Sequence, residues 1–364
     1  FRYGAIHDEA GKEGTAHFLE HMIFDGSSMF ADEKETQEFG KTVMLDTLNA
    51  YTGMFELFVT GKCLPHNFNT ALQGVFSMII EPKLTKKSWD HEQKVITQEA
   101  WGKFLNEKRV AYIRKERENT MFDIPDRLRM ASAIGWPETI LQITHDDIVN
   151  AHKTYFIKEN MEIYIAGNID AIGGMDALKH ALDEILIKMP SAKNSGGRAR
   201  EPFIPKRIGN PKKPIFDHTY EEIGLSTRQQ SSLSLSTILP RIDKKAEQPN
   251  AEAEDAHLAA LDLTSRLLAD LVFRKLRLEN SWCYGAGAGS CVCADYLGFN
   301  MGGSIDPAHV DEAIGILWGI VDDVHAANDE IKGDFEKTKT LAIDNLMARE
   351  LTTGSILESV VEGI

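Results

Sequence analysis

The sequence has little cysteine, and its few cysteines are poorly spaced for a structural metal site. The 364 residues include only Cys63, Cys283, Cys291 and Cys293. No two of them form a C-x-x-C pair, so zinc ribbons and similar cysteine clusters are excluded. We expect these thiols to be buried or half-buried, because free cysteine usually behaves as a small hydrophobic residue. This usage is compatible with a reducing compartment and with the periplasm, so the compartment stays open.

The sequence also lacks long apolar runs and an excess of positive charge. No stretch of about 18 apolar residues occurs, so no membrane-spanning helix is predicted, and no signal-peptide pattern is present. The formal net charge of −15 argues against nucleic acid or an anionic membrane as the main partner. The chain opens on Phe1 in a strand-like segment and closes on Ile364 in an uncapped helical pattern. We therefore expect flanking segments to be missing at both ends.

The length and composition predict a globular protein of more than one domain. An apolar fraction of 43% in 364 residues is enough for at least two separate cores. Residues 191–214 are rich in Gly, Pro, Ser and basic side chains without apolar periodicity, which predicts a linker. We accordingly divide the chain into a first domain at 1–190, this linker, and a second domain at 215–364.

Hydrophobic periodicity predicts a similar order of helices and strands in the two halves. This order indicates an α+β fold and an internal duplication. In the first half we predict strands within 48–64 and at 161–167, and helices at 14–24, 33–45, 65–80, 85–107 (continuing in pieces to about 121), 144–157 and 171–188. In the second half we predict strands at 229–238, 282–291 and 295–303, a polar loop at 243–255, and helices at 251–275, 306–327 and 329–349.

The stretch HFLEH, residues 17–21, carries the main chemical signal of the first half. On a helix, His17, Glu20 and His21 project from one face, because residues three and four apart are neighbours there. Two imidazoles can then reach one metal ion while a carboxylate lies beside it. The alternative is an ordinary helix that carries two surface or capping histidines.

A catalytic zinc site needs a third protein ligand, and the helix predicted at 85–107 offers two candidates. Glu92 and Glu99 are separated by two helical turns, so they share a face. The neighbouring Val95 and Ile96 favour burial of this region. Most glutamates on such helices are solvated, and the spacing alone does not single these two out.

Together these motifs resemble a known peptidase family. HFLEH, followed by NAYT at 49–52, EP at 81–82 and a glutamate pair seven residues apart, is similar to the inverzincins, the pitrilysin-type group that includes insulysin and the mitochondrial processing peptidase. The resemblance implies one zinc ion per subunit, held by His17, His21 and Glu99. It also implies Glu20 as the general base that activates water, and Glu92 as a carboxylate that orients a ligand.

Further matches to the family imply substrate-contacting residues. Asn49 and Ala50 match the strand whose edge pairs with an extended peptide, although an asparagine that merely starts a strand is the alternative. The following GMFELF departs from the family pattern, which leaves side-pocket specificity open. Arg277 and Tyr284, within LRLENSWCYGAGAG, resemble the family pair that donates to the scissile carbonyl and the developing oxyanion. The alternative is a helix-end arginine and a strand tyrosine.

The resemblance extends over nearly the whole chain and implies a function and an assembly. It implies a zinc-dependent endopeptidase for short or unfolded peptides, built from two homologous α/β sandwich-like domains in a clamshell. Both the zinc motif and the arginine–tyrosine pair occur in one chain, which favours a homodimer whose subunits complete each other's sites. The alternatives are a subunit of a heterodimeric processing peptidase and a structural relative without proteolytic activity.

Overall fold

The computed structural model of the protein describes residues 1–104, 110, 132–195, 230–240, 251–292 and 296–349. These residues form two compact units, and the described residues up to 195 and those from 230 onward belong to different units. The predicted linker at 191–214 lies mostly outside the described residues, so its position stays a prediction.

The first unit is mainly helical and contains one short hairpin. Strands β1 (Asn49–Thr52) and β2 (Leu57–Thr60) pair antiparallel, with Asn49 opposite Thr60 and Thr52 opposite Leu57. The helices are α1 (Thr15–Met22), α2 (Glu33–Thr42), α3 (Phe68–Ile80), α4 (Lys86–Phe104), α5 (Pro137–Ile140), α6 (His145–Tyr155), α7 (Gly174–Leu186) and α8 (Ala192–Ser195). Short 3-10 helices span Ala5–His7, Pro65–Asn67, Lys158–Asn160 and Asp170–Ile172.

Helix α1 lies at the centre of this unit. Its side chains Phe18, Leu19 and Met22 are fully buried in the main core cluster, where α1 contacts α4, α6 and β1. The remaining face carries the residues of the HFLEH motif that point away from this core. Packing on three elements therefore fixes the rotation of α1, and with it the direction of those side chains.

A buried carboxylate caps the start of α1 in place of a local capping residue. The N-cap is Gly14, which has a left-handed φ of 107° and no side chain to accept a hydrogen bond. Asp8 accepts instead from the backbone N–H of Gly14 at 2.8 Å and of Ala16 at 3.0 Å. The hydrogen bonds satisfy N–H groups that lack partners within the helix.

The second unit packs helices on a three-stranded antiparallel sheet in the order β3-β5-β4. Residues such as Leu271, Leu276, Met301, Ile305 and Leu317 form its core between sheet and helices. The elements are β3 (Ser231–Pro240), α9 (Ala251–Phe273), a π-helix (Arg274–Glu279), β4 (Cys283–Val292), β5 (Tyr296–Ile305), a 3-10 helix (Pro307–His309), α10 (Val310–Ala326) and α11 (Asp329–Arg349).

Most predicted elements are present, and the mixed helix-and-sheet class with small antiparallel sheets is confirmed. The strand predicted at 161–167 is wrong. Met161 has an extended backbone, but no described strand pairs with this segment, and a strand requires a partner for its backbone groups. The predicted helical continuation to 121 and most of the loop at 243–255 lie outside the described residues. In the described part of the chain, no helix is both long and apolar enough to cross a bilayer.

Candidate metal centre

Helix α1 presents His17 and His21 side by side. Their ring centroids lie 4.7 Å apart, and the rings are nearly perpendicular, at 77°. Both imidazoles are partly buried, while the opposite face of α1 is closed off by the core. The four-residue spacing of His17 and His21 on the helix therefore places two imidazole nitrogen donors close together.

Helix α4 brings Glu99 to this pair. Glu99 Oε2 lies 3.9 Å from His17 Nε2 and 3.6 Å from His21 Nε2. One possible ligand atom from each of these three residues lies within 4.8 Å of the others. Among the described residues this is the one such group of three or more His, Cys, Asp or Glu side chains.

The donor set fits a zinc ion. Two ligand atoms each about 2.1 Å from a tetrahedral zinc ion are roughly 3.4 Å apart, close to the spacings of the Glu99 carboxylate from the two imidazoles. Two imidazoles and one carboxylate are the ligand types that catalytic zinc sites use, with the fourth position left to water or substrate. The three residues could therefore hold zinc after only small side-chain adjustments.

Glu92 contacts the same histidine from the other side. Glu92 is 6% exposed, and its Oε2 lies 2.9 Å from His21 Nδ1. A hydrogen bond donated by Nδ1 directs the Nε2 lone pair of His21 toward Glu99 and the metal position. The two glutamates of α4 thus contact opposite nitrogens of one imidazole, so their roles differ although they share a helix face.

The two imidazoles differ in their proton affinity. Burial lowers the pKa of His17 to about 3, with the neighbouring His21 contributing in the same direction. For His21 burial acts downward as well, but the hydrogen bond and charge of Glu92, together with the charges of Glu20 and Glu99, outweigh it and raise the pKa. Within the described part of the chain, His17 Nδ1 is buried without a hydrogen-bond partner, so only His21 has an orienting carboxylate.

Glu20 lies on the same helix face, against the end of strand β1. Its side chain is 9% exposed, and the Thr52 hydroxyl donates to Glu20 Oε2 at 2.5 Å. Burial raises the pKa of Glu20, and the hydrogen bonds from Thr52 partly offset that effect. A carboxylate in this environment can accept a proton more readily than one in water.

The substrate-binding residues inferred from the sequence lie on β1. Asn49 is exposed at the start of the strand, and Ala50 is buried on the opposite face. Among the described strands β1 pairs only with β2, so no described strand occupies its other edge. This placement puts both residues on the strand that reaches Glu20.

Arg277 and Tyr284 lie together in the second unit. Arg277 belongs to the π-helix, donates from Nη1 to the Cys283 carbonyl at 3.0 Å, and lies 5.5 Å from the Tyr284 ring centroid. Tyr284 is 83% exposed. The pair forms a local cation–π contact that presents one aromatic hydroxyl to the exterior of its unit.

Two residues of this region were missed by sequence reasoning. Thr52 belongs to the NAYT motif, and the two-residue period of a strand places it on the same face as Ala50. The sequence pattern could therefore have indicated which way Thr52 faces. Asp8, which caps α1, gave no local signal, because its partners lie six and eight residues later in the sequence, beyond an irregular segment.

Comparison with known proteins finds relatives that are named as a zinc protease and a processing-peptidase subunit. The chain is 27% identical over 169 residues to an uncharacterized zinc protease of Rickettsia bellii (strain RML369-C), covering 46% of this chain and 40% of the relative. It is 29% identical over 159 residues to a probable mitochondrial-processing peptidase subunit beta of Arabidopsis thaliana, covering 43% and 28%. The chain thus spans less than half the length of these curated relatives.

A solved structure shows the same fold, and two family profiles show the family. The crystal structure of a protease from Helicobacter pylori superposes with a TM-score of 0.70 at 15% identity, covering 100% of this chain and 83% of that one. The profile described as "Insulinase (Peptidase family M16)" matches residues 1–125, which include the histidine pair and both glutamates of α4. The profile described as "Peptidase M16 inactive domain" matches residues 142–332, more than half of the chain. A chain that carries both profiles in sequence, with a zinc-compatible cluster in the first, belongs to peptidase family M16.

Proposed function

We propose that the protein is a zinc-dependent endopeptidase. The observation that carries this proposal is the convergence of His17, His21 and Glu99 beside the buried carboxylate of Glu20. Structural zinc sites usually have four protein ligands, whereas three ligands with an adjacent base are typical of hydrolytic sites. Zinc proteases among the relatives support the same metal.

The chain's own residues supply the metal ligands and the proton transfers. His17, His21 and Glu99 would hold one zinc ion per subunit, with His21 oriented by Glu92. When bound, zinc supplies Lewis acidity toward a carbonyl and lowers the pKa of a coordinated water. Glu20 takes a proton from the attacking water and passes it to the leaving amine.

Substrate binding and charge stabilisation are assigned to β1 and to the second unit. An extended peptide adds to the edge of β1, with Asn49 and Ala50 along the contact. Arg277 and Tyr284 donate hydrogen bonds to the scissile carbonyl oxygen as it becomes negatively charged. We propose short or unfolded peptides as substrates, and a homodimer in which each subunit's arginine–tyrosine pair completes the other's site.

The substitution Glu20→Gln tests the mechanism. The variant is expected to bind zinc as the wild type does, because the ligands are intact. Its cleavage of a quenched fluorescent peptide should fall about a thousandfold or more, because the base is lost. Zinc content is measured by elemental analysis beside the kinetics.

A ligand variant is the matched control. His17→Ala is expected to lose both zinc and activity. Full activity in zinc-loaded Glu20→Gln would rule out the mechanism.

The subunit name of the Arabidopsis relative favours a second candidate function, that of a chain that is active only with a different partner chain. Zinc-loaded wild-type protein that cleaves peptides only after such a partner is added would establish that candidate.

A further inference from the structure

Thr52 forms a hydrogen bond with the proposed base, Glu20, although the two residues are 32 positions apart in the sequence. Its hydroxyl lies 2.5 Å from Glu20 Oε2, and the contact joins the last residue of β1 to the last turn of α1. The Thr52 backbone also acts on this carboxylate, in the direction that lowers its pKa. Both residues are shielded from bulk water, Glu20 almost completely.

A hydroxyl group, such as that of Thr52, is a suitable hydrogen-bond partner for a carboxylate that acts as a base. A glutamate has three rotatable side-chain bonds, so a buried carboxylate needs a fixed partner to hold one orientation. A lysine or arginine partner would add a positive charge that stabilises the ionised form and weakens its basicity. A hydroxyl donor fixes the carboxylate oxygen without adding a formal charge.

The hairpin holds the hydroxyl in place before any substrate arrives. Thr52 pairs with Leu57, which is fully buried, and the turn is closed by a Gly53 N–H to Glu56 carbonyl hydrogen bond of 2.7 Å. Ala50, two residues earlier on the same face, is buried as well. The donor therefore lies on a strand whose register and facing are set by core packing.

We propose that Thr52 is a positioning residue that orients the Glu20 carboxylate for proton transfer. The inference rests on the proposed function of Glu20 as general base. It assigns no contact between Thr52 and substrate. Loss of the hydroxyl should therefore slow turnover and leave substrate affinity nearly unchanged.

The substitution Thr52→Val removes the hydroxyl and keeps the shape and the backbone N–H. In zinc-loaded protein we expect kcat to fall about tenfold to a hundredfold, the range for a lost hydrogen bond to a charged group, with KM within about twofold of wild type. Thr52→Ser, which retains the hydroxyl, should restore kcat to within about threefold. If Thr52→Val does not fold, Thr52→Ala carries the same test.

Thr60→Val is the matched control in the same hairpin. Thr60 ends β2, is exposed, and lies opposite Asn49. We expect its kcat and KM to equal those of the wild type. A Thr52→Val enzyme with wild-type kcat, or one in which only KM rises, overturns the proposal.

A second readout needs neither zinc nor activity. In metal-free protein, Thr52→Val should lower the thermal midpoint in the Glu20 background and leave it unchanged in a Glu20→Ala background, because the partner is already absent. Equal shifts in both backgrounds would show that Thr52 does not act through Glu20 and would overturn the proposal. This coupling is measured independently of the Glu20→Gln kinetics, so failure of the proposed function and failure of this inference are distinguishable.

Discussion

At the scale of single residues, neighbours rather than spacing determine the chemistry of the HFLEH motif. His17 and His21 lie one helical turn apart, yet burial lowers the pKa of the first while Glu92 raises that of the second. Glu92 and Glu99 likewise lie on one face of α4, but they contact different nitrogens of His21. The two histidines, like the two glutamates, thus differ in role because their side chains contact different atoms.

Asp8 gives a pH-dependent prediction at this scale. Asp8 is 6% exposed, and burial raises its pKa from 3.8 to about 7 against the opposing hydrogen bonds from Gly14 and Ala16. Between these values the folded state holds a proton that the unfolded state releases, so stability falls as pH rises. The contribution is full below about pH 4 and lost as pH rises through about 7. Because one pH unit corresponds to roughly 1.4 kcal/mol, this rise in pKa amounts to on the order of 4 kcal/mol.

The variant Asp8→Asn isolates this effect, because an amide does not titrate. In metal-free protein, the free energy of unfolding of the wild type relative to the variant should decrease from pH 4 to pH 8, as measured by urea denaturation. The groups that face Asp8, Tyr3 and Glu13, are the same in both proteins. A difference that is independent of pH would contradict the prediction.

At the scale of elements, the start of α1 depends on two glycines in close contact. Gly14 has φ of 107° and Gly135 has φ of 79°. A Cβ atom on Gly14 would lie 2.9 Å from the Gly135 Cα, closer than side-chain packing allows. The glycines therefore allow the segment before α5 to lie against the first turn of the metal-binding helix.

The substitution Gly14→Ala should disturb this contact. We expect a loss of about 3 kcal/mol or more of unfolding free energy, from left-handed backbone strain together with a backbone clash, and weaker zinc binding because α1 shifts. Urea denaturation and zinc titration measure the two effects. Gly11→Ala is the control, since Gly11 has φ of 82° but no atom within 4 Å of an added Cβ. It should cost only about 1 kcal/mol, and equal losses in the two variants would refute the role of the contact.

Several elements followed from the sequence alone. The helices at Thr15–Met22 and Lys86–Phe104 and the strands at Cys283–Val292 and Tyr296–Ile305 lie within a few residues of their predicted bounds. Thr85 precedes α4, and its hydroxyl accepts from the Ser88 N–H at 3.0 Å, as an N-cap residue does. The segment 161–167 was misjudged because an alternating pattern describes a suitable strand but does not provide a neighbouring strand.

At the scale of the whole molecule, the distribution of proposed residues over two units leads to an assembly prediction. Glu20 belongs to the first unit and Arg277 to the second. If two subunits complete each other's sites, mixing two inactive variants restores activity. A dimer of one Glu20→Gln subunit and one Arg277→Ala subunit would contain one fully intact site.

The complementation experiment uses refolded equimolar mixtures. Random pairing makes half of the dimers mixed, and each mixed dimer has one of two sites intact, so about a quarter of wild-type activity is expected from the homodimer proposed above. Each variant alone is the control and should stay inactive. A mixture as inactive as its components would refute sites shared between subunits, and sedimentation gives the subunit number independently.

The sequence by itself determined the local directions of the site residues, and the tertiary structure decided their partners. Helical periodicity was enough to place His17, Glu20 and His21 on one face, because that geometry depends only on the backbone of one element. The packing of helices and hairpin on a shared core decides that Glu99 faces Nε2 of His21 while Glu92 faces its Nδ1. It also decides that Thr52 reaches Glu20 from a strand 32 residues away. Contacts between elements follow from the burial of many side chains at once, and no short motif records them.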